Sequence, residues 1–140
     1  MALVKLKQIK WPPAGLHLWV EAYINHNKVF LVVDTGASQT VLDVNMAATL
    51  QLKNISTSEV VSTGVSGPVS NSIAVANTFQ IGTTNLKKVK VVLIDLSTVN
   101  AAYAAINKKP VHGILGGDVL KKTNAVINYE KGTLKLRSKK

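Results

Sequence analysis

The segment KVFLVVDTGASQTVLD, residues 28–43, carries an almost wholly apolar run into a single carboxylate, Asp34. A carboxyl group held at the end of a rigid strand can take or give a proton, the general acid–base role. The residues that follow suit that role. Thr35 has a hydroxyl able to hydrogen-bond across a tight loop, and Gly36 permits a sharp turn and a close approach of backbone to a ligand or another chain. The tripeptide alone is a weak signal, because an aspartate that merely opens a turn looks the same. That plainer reading leaves a second stretch unexplained, Val111-His112-Gly113-Ile114-Leu115-Gly116-Gly117-Asp118-Val119-Leu120, in which apolar residues and a glycine end a strand and a helix begins at once.

Other chemistries find little support. Neither GxxxxGK[ST] nor GxGxxG occurs, so no phosphate-cradling loop is indicated. His17, His26 and His112 are isolated, with no HExxH spacing and no cysteine partners, and no metal site or other cofactor is expected. They read as strand or turn residues. Ser38, His112 and Asp34 are the residue types of a hydrolase triad, but no GxSxG elbow surrounds any serine. Asp118 before Val-Leu-Lys-Lys reads as a helix N-cap in preference to a second catalytic acid; Asp43 and Asp95 read as caps or strand ends. Trp11 and Trp19 read as core or interface residues.

The elements that must position Asp34 are mostly strands. Residues 3–9 alternate, and 16–24 and 28–33 form a hairpin turning at Asn25-His26-Asn27. A short helix is expected over 44–50 behind Asp43. Polar-tolerant strands at 56–64 and 69–81 meet around Gly64-Val65-Ser66-Gly67-Pro68, and a turn at 82–85 leads into a buried strand over 86–96. The Ala-rich stretch 97–107 reads as helix, stopped by Lys108-Lys109-Pro110. A strand at 111–115, a short helix from Asp118 and a hairpin of 124–129 with 133–137 complete the chain. Short strands at regular spacing predict a mostly β barrel or sandwich.

Composition bounds the rest. The 140 residues suffice for one domain, 1–140, with one core, and the hydrophobic fraction of 46% is ordinary for a globular chain. No apolar run is long enough for a membrane span. The first 15 residues intersperse lysines with apolar residues and lack a signal-peptide pattern; with zero cysteines, a cytoplasmic location is expected. The 17 Lys and Arg against 7 Asp and Glu give a net charge of +10. Those charges are scattered along strands, as solvated faces are, and no basic–aromatic stripe marks a specific nucleic-acid surface.

Taken together, FLVV before Asp34-Thr35-Gly36-Ala37-Ser38, the later ILGGDVL and the terminal AVINYEKGTLKL resemble the retropepsin-like aspartic proteases, the retroviral and retrotransposon enzymes and their cellular and bacterial relatives. The resemblance runs from about Leu16 to Leu136. It implies a single-lobe acid-protease closed β-barrel with one or two short helices, and an active site built from two copies of one loop. One Asp-Thr-Gly per chain then requires a homodimer in which Asp34 meets its own copy across a two-fold axis. The activity implied is endopeptidase cleavage of a polypeptide substrate, without cofactor or metal. An idle dimerisation or peptide-binding module on the same fold is the alternative. By resemblance Asp34 is catalytic, and Thr35, Gly36, Ala37 and Ser38 support its loop. Ile114, Leu115 and Gly116 would pack beneath that loop, and Gly64, Val65, Ser66 and Gly67 would form a flap over the substrate. Ala37 stands where pepsin-like enzymes usually have a serine bonded to the catalytic carboxylate.

Overall fold

The computed structural model describes residues 1–56 and 72–137. The strands are β1 (Ala2–Lys5), β2 (Lys7–Trp11), β3 (Gly15–Ile24), β4 (Asn27–Val33), β5 (Val41–Asp43), β6 (Lys53–Ser56), β7 (Ser72–Ile81), β8 (Thr84–Ile94), β9 (Gly113–Leu115), β10 (Val126–Asn128) and β11 (Thr133–Leu136). Two helices, α1 (Ser97–Ala105) and α2 (Gly117–Lys122), accompany them.

Hydrogen bonding runs β3-β4-β9-β5-β8-β7, and pairing of Tyr23 and Ile24 with Gln80 and Phe79 brings β7 back to β3. Six strands thus close a barrel, with β2 and β6 added at its rim, while β1, β11 and β10 form a separate small sheet. The β3–β4 hairpin turns on Asn25 and His26, both at positive φ (48° and 71°), the two-residue geometry that matches strand twist. Asn25 also sews the barrel shut. Its backbone N–H and side-chain oxygen bond to Thr78 at 2.9 and 3.0 Å, and its amide donates to the Leu50 carbonyl at 2.9 Å.

Burial follows from the strand period. Val20, Ala22 and Ile24 of β3 face the barrel interior with Val29 and Leu31 of β4, Leu42, Phe79 and Leu115, all essentially inaccessible. Trp19 points the other way and is equally buried, because α1 lies over the outside of the barrel there. Ile9, Trp19, Tyr103 and Val111 make this second core, with Trp11, Phe30, Val32 and Ile106 at its edge. Burial on both faces at Leu18, Trp19 and Val20 is why large apolar residues stand consecutively there.

Three local expectations differ from the structure. The alternating run 3–9 is two strands, not one: Leu6 breaks it, burying its side chain and donating its N–H to the Gly132 carbonyl at 2.8 Å, so β1 joins β11 and β2 joins β3. The helix expected over 44–50 is a single 3-10 turn, Val44–Met46. Asp43 does cap it, accepting from the Asn45 N–H at 3.1 Å. The helix expected to open at Asp118 opens one residue earlier, with Gly116 as its N-cap, so Asp118 lies within its first turn. The hairpin tip at Gly64 to Pro68 lies outside the described residues.

Candidate active site

Asp34 follows the last residue of β4, where Val33 pairs in parallel with Leu115 of β9. Its N–H donates to the Leu115 carbonyl at 3.0 Å, continuing the ladder one residue past the strand and fixing where the carboxylate begins. The chain then turns back. Gly36 N–H donates to Asp34 Oδ1 at 2.9 Å and Ala37 N–H to the Asp34 carbonyl at 3.2 Å. The carboxylate is exposed and already accepts one backbone donor. Thr35, Gly36 and Ser38 are exposed beside it, and Ala37 is half-buried.

Below this loop lie Ile114, Leu115 and Gly116. Leu115 is fully buried, and Gly117 N–H donates to the Ala37 carbonyl at 2.7 Å. Gly116 is tightly enclosed: a Cβ there would come within 2.7 Å of the Gln39 backbone. Gly113 is more so, with the Val41 carbonyl oxygen 2.3 Å from any Cβ. These close approaches explain why glycines flank Ile114 and Leu115. Buried Thr40 completes the clamp, donating to Asp118 Oδ1 at 2.7 Å and accepting from Gly116 N–H at 3.1 Å. Asp118 is therefore a brace between the loop and α2. It also accepts from Val119 N–H at 2.8 Å.

Asp34 opens onto a cavity of about 370 Å³ lined by Leu16, His17, Leu18, Val32, Val33, Val99, Tyr103, Ile114 and Tyr129. Of the sequence-predicted site residues, the structure brings Asp34 and Ile114 to this cavity and packs Leu115 and Gly116 behind it. Gly64, Val65, Ser66 and Gly67 lie outside the described residues. His17, Val99, Tyr103 and Tyr129 carry no motif that marks them as site residues. His17 Nδ1 lies 2.6 Å from the Tyr103 hydroxyl, which also receives the Trp19 indole N–H at 3.3 Å. Burial raises the Tyr103 hydroxyl above the usual phenol range, with the Trp19 bond opposing in part.

The other histidine near the loop is structural. His112 Nδ1 accepts the Phe30 N–H at 3.0 Å, supplying β4 with an acceptor where the parallel pairing with β9 begins. Burial pushes its imidazole below the ordinary value, only partly offset by the negative charge of Asp43. Asp43 itself is buried and accepts from Asn45 and from Leu96 N–H. Exposed Asp95, one residue outside the α1 N-cap, is held below the usual carboxylate range by the Ser97 hydroxyl and N–H and by the Asn45 amide. Among the described residues, no group of three or more His, Asp or Glu side chains is placed to hold a metal ion, and no helix is long and apolar enough to cross a membrane.

The sequence profile of the family described as aspartyl protease matches residues 20–119. No curated protein matches the chain in sequence. Among solved structures, the fold is similar to a retropepsin-like aspartic protease from Rickettsia conorii, with TM-score 0.59 and 20% identity over 95% of this chain and 91% of that one. It is also similar to the retroviral protease-like domain of Ddi1 from Leishmania major, with TM-score 0.59 and 16% identity over 86% and 87% of the two chains. EIAV protease in complex with the inhibitor HBY-793 aligns with TM-score 0.51 and 20% identity over 81% of this chain and 92% of its own.

Proposed function

The chain belongs to the aspartyl protease family and has the retropepsin-like fold, and we propose that it is a homodimeric aspartic endopeptidase acting on extended polypeptide segments. One observation carries this reading: Asp34 stands at a strand end clamped by β9 and α2, its carboxylate exposed at the mouth of a largely apolar cavity. A lone carboxylate cannot be acid and base at once. A second copy supplies the other through a two-fold axis passing near Asp34.

Two carboxyl groups in contact cannot both ionise cheaply, so the pair shares one proton. The ionised member takes a proton from a bound water, whose oxygen attacks the scissile carbonyl carbon. The protonated member gives its proton to the carbonyl oxygen. Collapse of the resulting gem-diol returns a proton to the departing amine and breaks the C–N bond. Thr35 braces the paired loops and Gly36 offers backbone to the substrate strand. Residues 64–67 cover the bound peptide, a role assigned on the resemblance alone. An extended peptide binds as an added strand, with backbone bonds for affinity and side-chain cavities for selection.

The test is cleavage of an unstructured protein such as casein from acid to neutral pH, with and without pepstatin, beside Asp34→Asn. Pepstatin-sensitive cleavage that falls by about 10³-fold or more in the variant is expected. A dimeric protein that binds peptide, cleaves nothing and is indifferent to Asp34→Asn is a binding module. A protein monomeric throughout overturns the dyad.

A further inference from the structure

The cavity is apolar along most of its wall, with Leu16, Leu18, Val32, Val99 and Ile114; besides Asp34 and the exposed Tyr129, its polar side chains are one pair, His17 and Tyr103. The direction of their hydrogen bond follows from a third group. Trp19 Nε1 can only donate, so the Tyr103 oxygen accepts from it at 3.3 Å. The phenol proton then has His17 Nδ1, 2.6 Å away, as its acceptor among the described residues. The neutral ring therefore carries its own proton on Nε2. Trp11 stacks on the imidazole at 4.8 Å and 9°, and Tyr103 meets it edge-on, which holds the ring plane. Nε2 has no protein partner among the described residues.

We propose that this cavity is a substrate subsite for a glutamine side chain, the apolar wall covering its methylene stem and His17 Nε2–H donating to its amide oxygen. Tyr103, carried by α1, is a positioning residue: it fixes the tautomer that leaves Nε2–H as the donor. A volume of about 370 Å³ lies at the small end of ligand cavities, as suits one or two side chains of a longer peptide. The subsite rests on the reading of this cleft as a peptide-binding one, and its test is separate from hydrolysis.

The probes are pools of blocked octapeptides with mixed Ala, Val and Ile flanks and Gln or Met at one central position. Their binding to Asp34→Asn protein, which holds peptide without cutting it, is read by fluorescence anisotropy. Gln and Met are both uncharged and similar in length, so the chain's net charge does not enter their comparison. The Gln pool is expected to bind about five- to tenfold more tightly than the Met pool, the worth of one neutral hydrogen bond. His17→Phe in the same background keeps a ring on Trp11 and is expected to erase the difference. Tyr103→Phe, which removes one oxygen and leaves the packing, is expected to reduce it. Equal binding of the two pools, binding of neither, or a Gln preference that survives Tyr103→Phe and His17→Phe overturns the subsite. Casein cleavage by the wild-type chain reports on proteolysis independently. An inert chain that still prefers Gln sinks the protease and keeps the subsite, and an active one without the preference does the reverse.

Discussion

At the residue scale, the loop that carries Asp34 is held by atoms with no room to spare. Gly116→Ala would drive a methyl into the Gln39 backbone, 2.7 Å away. It is expected to cost about 1–3 kcal/mol in urea unfolding and to lower activity further by shifting the loop. Thr40→Val leaves the buried Gly116 N–H without its acceptor and Asp118 with the Val119 N–H but without the Thr40 hydroxyl, and is expected to cost a similar 1–3 kcal/mol or so. His112 sets a pH dependence of stability. Its folded-state value lies below the ordinary 6.5. Above that value the ring is neutral in both states and its full contribution is present. As pH falls below it, the unfolded chain binds a proton that the folded chain resists, and stability drops. Denaturant midpoints are therefore expected to decline from pH 7.5 to pH 5, and less steeply in His112→Gln; equal slopes would refute the assignment.

At the scale of elements, α1 decides what the barrel wall near Asp34 becomes. Asp95 accepts from Ser97 N–H at its start, and Asn107, at φ 62°, turns the chain out after its end. Asn100 then ties the helix to the following segment, donating to the Val111 carbonyl at 3.0 Å and accepting its N–H at 2.8 Å. Asn100→Ala is expected to cost about 1–3 kcal/mol, from two backbone groups left unpaired at a buried residue, measured by thermal or urea unfolding. The larger effect is expected on function. Loosening α1 moves Val99 and Tyr103 together, so peptide affinity should fall more than the loss of stability alone explains.

At the scale of the whole molecule, the proposed dyad, with one Asp34 per chain, would make proteolysis a property of the assembly. Cleavage rate is expected to rise with the square of chain concentration below the dimer dissociation constant and linearly above it, in step with sedimentation measurements. The net charge of +10 adds a second dependence. Peptides with flanking acidic residues should be cleaved faster than neutral ones, and added salt should remove the advantage. A preference unchanged by salt would mean that it arises from direct contacts.

Much of this protein is written in short-range chemistry. The 16–33 hairpin, the strand that delivers Asp34, the stop before Pro110 and the glycine-rich return at Gly116 all rest on local rules of alternation, turn geometry and backbone freedom, which neighbouring residues suffice to enforce. The division of residues 3–9 between two sheets is different, because alternation along one strand is blind to which partner each half will meet. Asp43 caps the single turn found within 44–50 and also accepts from Leu96 N–H, a tie to the start of α1 that local capping rules cannot foresee. The cavity was least legible of all. His17, Tyr103 and Asp34 lie far apart in sequence and share no motif, and only closure of the barrel with α1 laid across its outer face sets an imidazole and a phenol beside the carboxylate. Spacing along the chain cannot express that proximity; packing creates it.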